Sequence, residues 1–87
     1  MLQRLSVRTC ALVGTYDERE VTPRHGKLYL QRSVGPPLEM RLAGTDRFTL
    51  VDAAQAQIEF VRDASGRPMQ MRVLNPQGDW ETATRVK

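Results

Sequence analysis

The sequence predicts an all-β single domain: an antiparallel meander of about seven or eight short strands, curling towards a small barrel. Three observations lead there. Apolar and polar residues alternate in short segments, the period-2 signature of strands with one buried face. Turn-forming clusters recur roughly every 8–12 residues, the spacing of antiparallel sandwiches and barrels. No segment of helical length carries a 3.6-residue period.

Residues 1–10 are expected to form an N-terminal extension or a short helical turn, and residues 11–87 one β-meander domain. Within Gly26–Gln31, Leu28 and Leu30 share a face and Tyr29 points the other way. Leu38, Met40 and Leu42 alternate with Glu39 and Arg41. Phe48 and Leu50 flank Thr49, and Ile58 and Phe60 alternate with Gln57 and Glu59. Met69, Met71 and Val73 alternate with Gln70 and Arg72. The punctuation between these segments is Pro23-Arg24-His25-Gly26, Gly35-Pro36-Pro37, Gly44-Thr45-Asp46, Asp63-Ala64-Ser65-Gly66 and Asn75-Pro76-Gln77-Gly78. Each is rich in residues that turn the chain or tolerate a positive φ.

Two hairpins have a testable register. A four-residue loop Asp63–Gly66, with Gly66 left-handed, sets Arg62 opposite Arg67, Phe60 opposite Met69 and Ile58 opposite Met71. A slip of one residue would mix the polar and apolar faces, so the four-residue loop is expected. At the second hairpin, a type I turn with a following bulge pairs Asn75 with Asp79 and Leu74 with Trp80, placing both apolar residues on the outer face. The other register, one residue away, turns Trp80 into the core, and the sequence leaves both open.

The chain has 87 residues, which allow one small core and exclude the large barrel and doubly wound enzymes as complete folds. Hydrophobic residues are 40% and charged residues 26%, a globular composition that argues against disorder. The net charge is +3, but the basic residues are scattered, so they read as a solvated face and nucleic acid is not an expected partner. The one cysteine, Cys10, excludes an internal disulfide framework and a cysteine-based zinc site, and is expected to be a small buried hydrophobe. No apolar run reaches membrane-spanning length, and the first ten residues lack a signal-peptide core. As written, the chain is expected in the cytoplasm; as part of a longer hydrolase it would be exported.

The reactive residues are sparse. His25 is the sole histidine and sits at a hairpin tip. A triad, a metal site or a Cys-His pair each requires more partners. The carboxylates Asp17/Glu18/Glu20, Asp46, Asp52, Glu59/Asp63 and Asp79/Glu81 lie on alternating strands or in turns and read as solvent-facing, with Asp63 and Asp79 bonding nearby backbone. The glycines show no phosphate-cradling pattern. No catalytic residue, metal ligand or cofactor site is expected.

Gly14-Thr15-Tyr16, Gly26-Lys27-Leu28-Tyr29-Leu30-Gln31 and Ala56-Gln57-Ile58-Glu59-Phe60-Val61-Arg62-Asp63-Ala64-Ser65-Gly66-Arg67 follow in that order. The chain thereby resembles the small β domain of unknown function found at the C-terminus of many serine beta-lactamase-like hydrolases, relatives of penicillin-binding proteins. The resemblance covers roughly residues 11–86. It implies a lipocalin-like half-barrel or small barrel, an accessory module whose catalytic partner is the preceding domain. The Ser-x-x-Lys nucleophile motif of that partner is absent: Ser6, Ser33 and Ser65 are followed three positions later by Thr9, Pro36 and Pro68.

The expected function is therefore a non-catalytic accessory or interaction module, with a homodimer or an adjacent hydrolase domain as partner. Tyr29, Leu74 and Trp80 are the candidate contact surface, because outward aromatics are enriched at interfaces. One rival is a small-ligand barrel with a cavity lined by Leu28, Leu30, Met40, Phe48, Phe60, Met69 and Met71. A second is an oligonucleotide-binding barrel, which requires Arg41, Arg47, Arg62 and Arg72 to converge on one face with Tyr29 or Trp80. Unguarded strand edges would favour the homodimer.

Overall fold

The computed structural model describes residues 6–75 and 77–87. Among them a short helix, α1 (Val7–Cys10), precedes eight strands: β1 (Gly14–Tyr16), β2 (Arg19–Arg24), β3 (Lys27–Gln31), β4 (Leu38–Gly44), β5 (Arg47–Leu50), β6 (Ala53–Arg62), β7 (Pro68–Leu74) and β8 (Trp80–Thr84). All neighbours are antiparallel and follow chain order, so the domain is a pure meander. The predicted fold class is correct.

The sheet curls until its ends nearly close into a barrel. Asp17 donates its N–H to Thr84 O at 2.9 Å, Val86 to Thr15 O at 2.8 Å, and Thr15 to Lys87 O at 3.2 Å. The Asp17 side chain adds a bond, accepting from Thr84 N–H at 3.0 Å. β1 and the chain segment following β8 thus satisfy each other's backbone groups. The seam covers the edge of β1 and of the residues from Thr84 onward, so these edges are not open to a second chain.

Turn chemistry sets the connections. His25 (φ 52°) and Gly26 (φ 76°) form a two-residue turn between Arg24 and Lys27, where both central residues need positive φ. Asp63 and Asn75 open twin hairpins. In each, a glycine donates back to the first residue's carbonyl (Gly66 to Asp63 O and Gly78 to Asn75 O, both 3.0 Å), and φ is +88° at Gly66 and +89° at Gly78. The Asp63 carboxylate accepts from Ser65 N–H and Arg67 N–H, and the Asn75 amide oxygen from Gln77 N–H and Asp79 N–H. The turn role expected of Asp79 therefore belongs to Asn75. Pro76 and residues 1–5, which carried parts of the turn and N-terminal expectations, lie outside the described residues.

The Asp63–Gly66 hairpin departs from its expected register. Asp63 N–H bonds Arg67 O at 2.9 Å, so Asp63, rather than Arg62, faces Arg67. A bulge then pairs Arg62 with Pro68 and Val61 with Gln70. The net shift is two residues: Phe60 faces Met71 and Ile58 faces Val73. Because the shift is even, the apolar residues of β6 keep their face. Met69, the extra residue of the bulge, does not keep its face and is 49% exposed.

Leu28, Leu30, Met40, Phe48, Ile58, Phe60 and Met71 form the interior together with Leu12, Tyr16, Val21 and Ala83. Phe60 stands edge-on to both Tyr16 (centroids 5.5 Å apart) and Phe48 (5.8 Å), so three rings run through the middle. Val21 is the single buried residue of β2, which leaves that strand without a visible alternation in the sequence.

Candidate functional site

The chain alternates between two barrel ends, and one end is plugged. Ser6 caps α1, its hydroxyl accepting from Thr9 N–H at 3.1 Å, and Leu12 follows the helix into the core. Two arginines hold this plug. Arg62 donates to both Asp46 oxygens, Nε to Oδ2 at 2.8 Å and Nη2 to Oδ1 at 3.0 Å. Its remaining donors reach Gly66 O through Nη1 (2.9 Å) and Arg8 O through Nη2 (2.8 Å). Arg85 donates Nη1 to Ala11 O, Nη2 to Val13 O and Nε to Lys87 O. The fixed fork of a guanidinium suits it to gather several carbonyls at once.

Electrostatics at the plug follow from this geometry. The hydrogen bonds from Arg62, more than any other group, hold the Asp46 carboxyl below the ordinary range, with Arg8 adding charge. The same pair raises Arg62. Burial pushes the Tyr16 phenol up despite nearby Arg85 and Arg62, and its hydroxyl donates to Leu12 O at 2.9 Å. Asp63 is lowered by its bond from the Ser65 hydroxyl and by the Arg67 backbone. Glu39 pairs with Lys27, Glu59 with Arg47 and Arg72, and Glu81 with Arg19. Among the described residues no three His, Cys, Asp or Glu side chains are placed to hold a metal ion, and no helix is long and apolar enough to cross a membrane.

The outer face of β4–β8 gathers the residues of the contact surface. Cross-strand register puts Arg41 opposite Thr49, Thr49 opposite Gln57, Gln57 opposite Leu74, and Leu74 opposite Trp80, one continuous row. A second row runs Arg47, Glu59, Arg72, Thr82. Trp80 takes the outward register and is 40% exposed, with the Arg72 guanidinium 4.8 Å from its ring centroid. Between the rows a shallow groove of about 250 Å³ is bordered by Arg47, Thr49, Gln57, Glu59 and Trp80.

Leu74 and Trp80 are brought together, but Tyr29 is not. It lies outward on β3, opposite Thr22 and Glu39, with Arg24 5.3 Å from its ring centroid. From β8 across the seam to β3 is three strands, around the curve of the barrel. Among the arginines of the oligonucleotide rival, Arg41, Arg47 and Arg72 lie outward, but Arg62 turns inward to Asp46, its side chain 10% exposed. Of the seven predicted cavity-lining residues, six belong to the packed core and Met69 is on the surface. Leu28, Met40 and Phe48 also border an open groove of about 540 Å³ beside α1, where Leu42, expected on the buried face, is 63% exposed at the rim. Cys10, expected to be buried, is exposed on α1. Thr49 and Gln57 escaped sequence reading because only the cross-strand register of β5, β6 and β7 brings them beside Leu74 and Trp80.

No protein-family model, curated protein or solved structure matches this chain.

Proposed function

We propose that this chain is a non-catalytic accessory module that docks an adjoining protein domain, as in the resemblance to the C-terminal modules of beta-lactamase-like serine hydrolases. The observation that carries the reading is the outward Trp80. It is held beside Leu74, with Arg72 against its ring, on a sheet face that also bears Arg41, Arg47, Thr49 and Gln57. A half-exposed tryptophan ringed by arginine and adaptable polar groups is the composition of interface anchors. The engagement of Asp46, Glu39, Glu59 and Glu81 in ion pairs supports a structural rather than a catalytic use of the carboxylates.

Trp80 is the sole tryptophan, so its emission reports the face directly. The test reads the frame ahead of Met1 and joins the chain to any domain found there, in one polypeptide or as a mixture. Docking predicts a Ser-x-x-Lys hydrolase domain there, a blue shift of Trp80 emission on association, and at least a tenfold loss of affinity in Trp80→Ala. A reading frame without such a domain, or emission unchanged by its presence, would overturn the reading.

A further inference from the structure

We infer that the Trp80–Thr82 stretch of β8 is an open strand edge that accepts a basic, extended polypeptide segment by β-addition. The backbone pattern carries the argument. Arg85 donates its N–H to Met69 O on β7, whereas Val86 donates to Thr15 O on β1 and Thr84 O accepts from Asp17. Along a strand, successive backbone groups point to alternate sides. The β7–β8 register runs without a bulge from Gln70/Thr84 to Leu74/Trp80. The N–H and C=O of Thr82 and Trp80 therefore face the same side as those of Thr84, away from β7.

On that side β1 has already ended. Tyr16 pairs with Arg19, the chain turns at Asp17–Glu18, and the Asp17 carboxylate takes the Thr84 N–H as the last bond of the seam. Among the described residues nothing bonds the outward backbone groups of Thr82 and Trp80. Glu81, between them on β8, lines a notch of about 630 Å³ in the rim of the unplugged end, together with Asp17, Glu18, Arg19, Arg32 and Ser33. An added strand requires about 4.8 Å of spacing and a row of unpaired backbone groups. Trp80 and Thr82, both strong strand formers, supply the row, and no proline or lysine guards it.

Charge selects the occupant. Carboxylates outnumber cations in the notch, and Arg19 is already paired with Glu81 at 3.4 Å. A second copy of this chain would bring the same carboxylates against themselves, whereas an extended segment bearing Arg or Lys would meet Asp17 and Glu18. This site is separate from the outward docking face, since it uses the backbone of β8 rather than the Trp80 ring, and either can fail without the other.

The probe is the blocked peptide Thr-Arg-Val-Arg-Thr-Arg, followed by amide exchange and NMR on the full chain. Binding should slow exchange of the Trp80 and Thr82 amides at least tenfold and leave those of Glu81 and Ala83, which face β7, unchanged. Thr82→Pro removes only a donor aimed away from β7, a position where an edge strand tolerates proline. It should keep the far-UV spectrum and lose the peptide, whereas Trp80→Ala should retain it. Replacing the peptide's arginines by glutamate should weaken binding at least tenfold. Equal binding to Thr82→Pro, equal binding of the acidic peptide, protection mapping elsewhere, or dimerisation of the chain through β8 would each overturn the inference. If Thr82→Pro does not fold, the protection pattern in the unaltered chain decides.

Discussion

Arg62 and Asp46 meet in a two-pronged pair, Nε to Oδ2 at 2.8 Å and Nη2 to Oδ1 at 3.0 Å, joining the end of β6 to the β4–β5 turn. The spare Arg62 donors bind the carbonyls of Arg8 and Gly66, so one guanidinium ties α1 and two hairpins together. Arg62→Ala should destabilise the domain by about 2–4 kcal/mol, because it leaves a largely enclosed carboxylate and two carbonyls short of partners. Arg62→Lys should recover less than half, since an ammonium cannot form the fork. Urea unfolding measures both; a loss under about 0.5 kcal/mol would place the pair among ordinary surface salt bridges.

The same pair gives the domain an acid sensitivity. The folded Asp46 carboxyl is held below its ordinary value by Arg62. Its contribution is therefore complete above the unfolded carboxylate pKa, near ~3.9, and is lost as pH falls through the lower folded value. The stability gap between the parent chain and Asp46→Asn should be constant near neutrality and close on acidification. Asparagine tolerates the positive φ of 56° at this position, so the comparison isolates the charge. Tyr16 acts at the other extreme: burial raises its phenol, so its contribution is present below the ordinary tyrosine pKa and is lost as pH rises through the folded value. Unfolding free energies measured across pH test both signs.

Gly14 sits where the seam closes. A Cβ there would collide with the Lys87 carbonyl, the acceptor for Thr15 N–H, and crowd the Arg85 guanidinium. Gly14→Ala should part β1 from the C-terminal segment while leaving the β3–β7 ladders intact. Amide exchange should quicken at Thr15, Asp17 and Val86 and stay slow at Ile58 and Phe60. Uniform acceleration would mean that the seam and the sheet open as one unit.

Gly66 and Gly78 occupy equivalent positions in the twin hairpins, each with a left-handed φ and open space where a Cβ would lie. Alanine at either should cost about 1 kcal/mol from backbone strain alone, and asparagine less. The two sites lie at opposite ends of the barrel, so the double variant should cost the sum. Thermal unfolding of the four chains checks both size and additivity.

The strands β3 to β7 were legible from Leu28/Leu30, Met40, Phe48, Ile58/Phe60 and Met71 because side-chain alternation is a local property of an extended chain. The turns were legible for a related reason: the positive φ of Gly26, Gly66 and Gly78 is supplied by residue type. β2 was hidden, having one buried side chain to mark it. The Phe60–Met71 pairing was missed by two residues because a bulge at Met69 is invisible in an alternating pattern, yet that bulge puts Pro68 opposite Arg62.

Amino-acid order alone determined the fold class, the buried face of most strands and the two hairpins. Tertiary structure decided that Tyr16 lies beside Arg85 to close the barrel, that Arg62 turns inward to Asp46 and that Met69 turns out. It also chose between two registers the sequence could not separate, setting Trp80 outward against Arg72. These outcomes depend on which distant groups a closing sheet brings within hydrogen-bonding reach, and each bulge resets the parity from which local pattern is read.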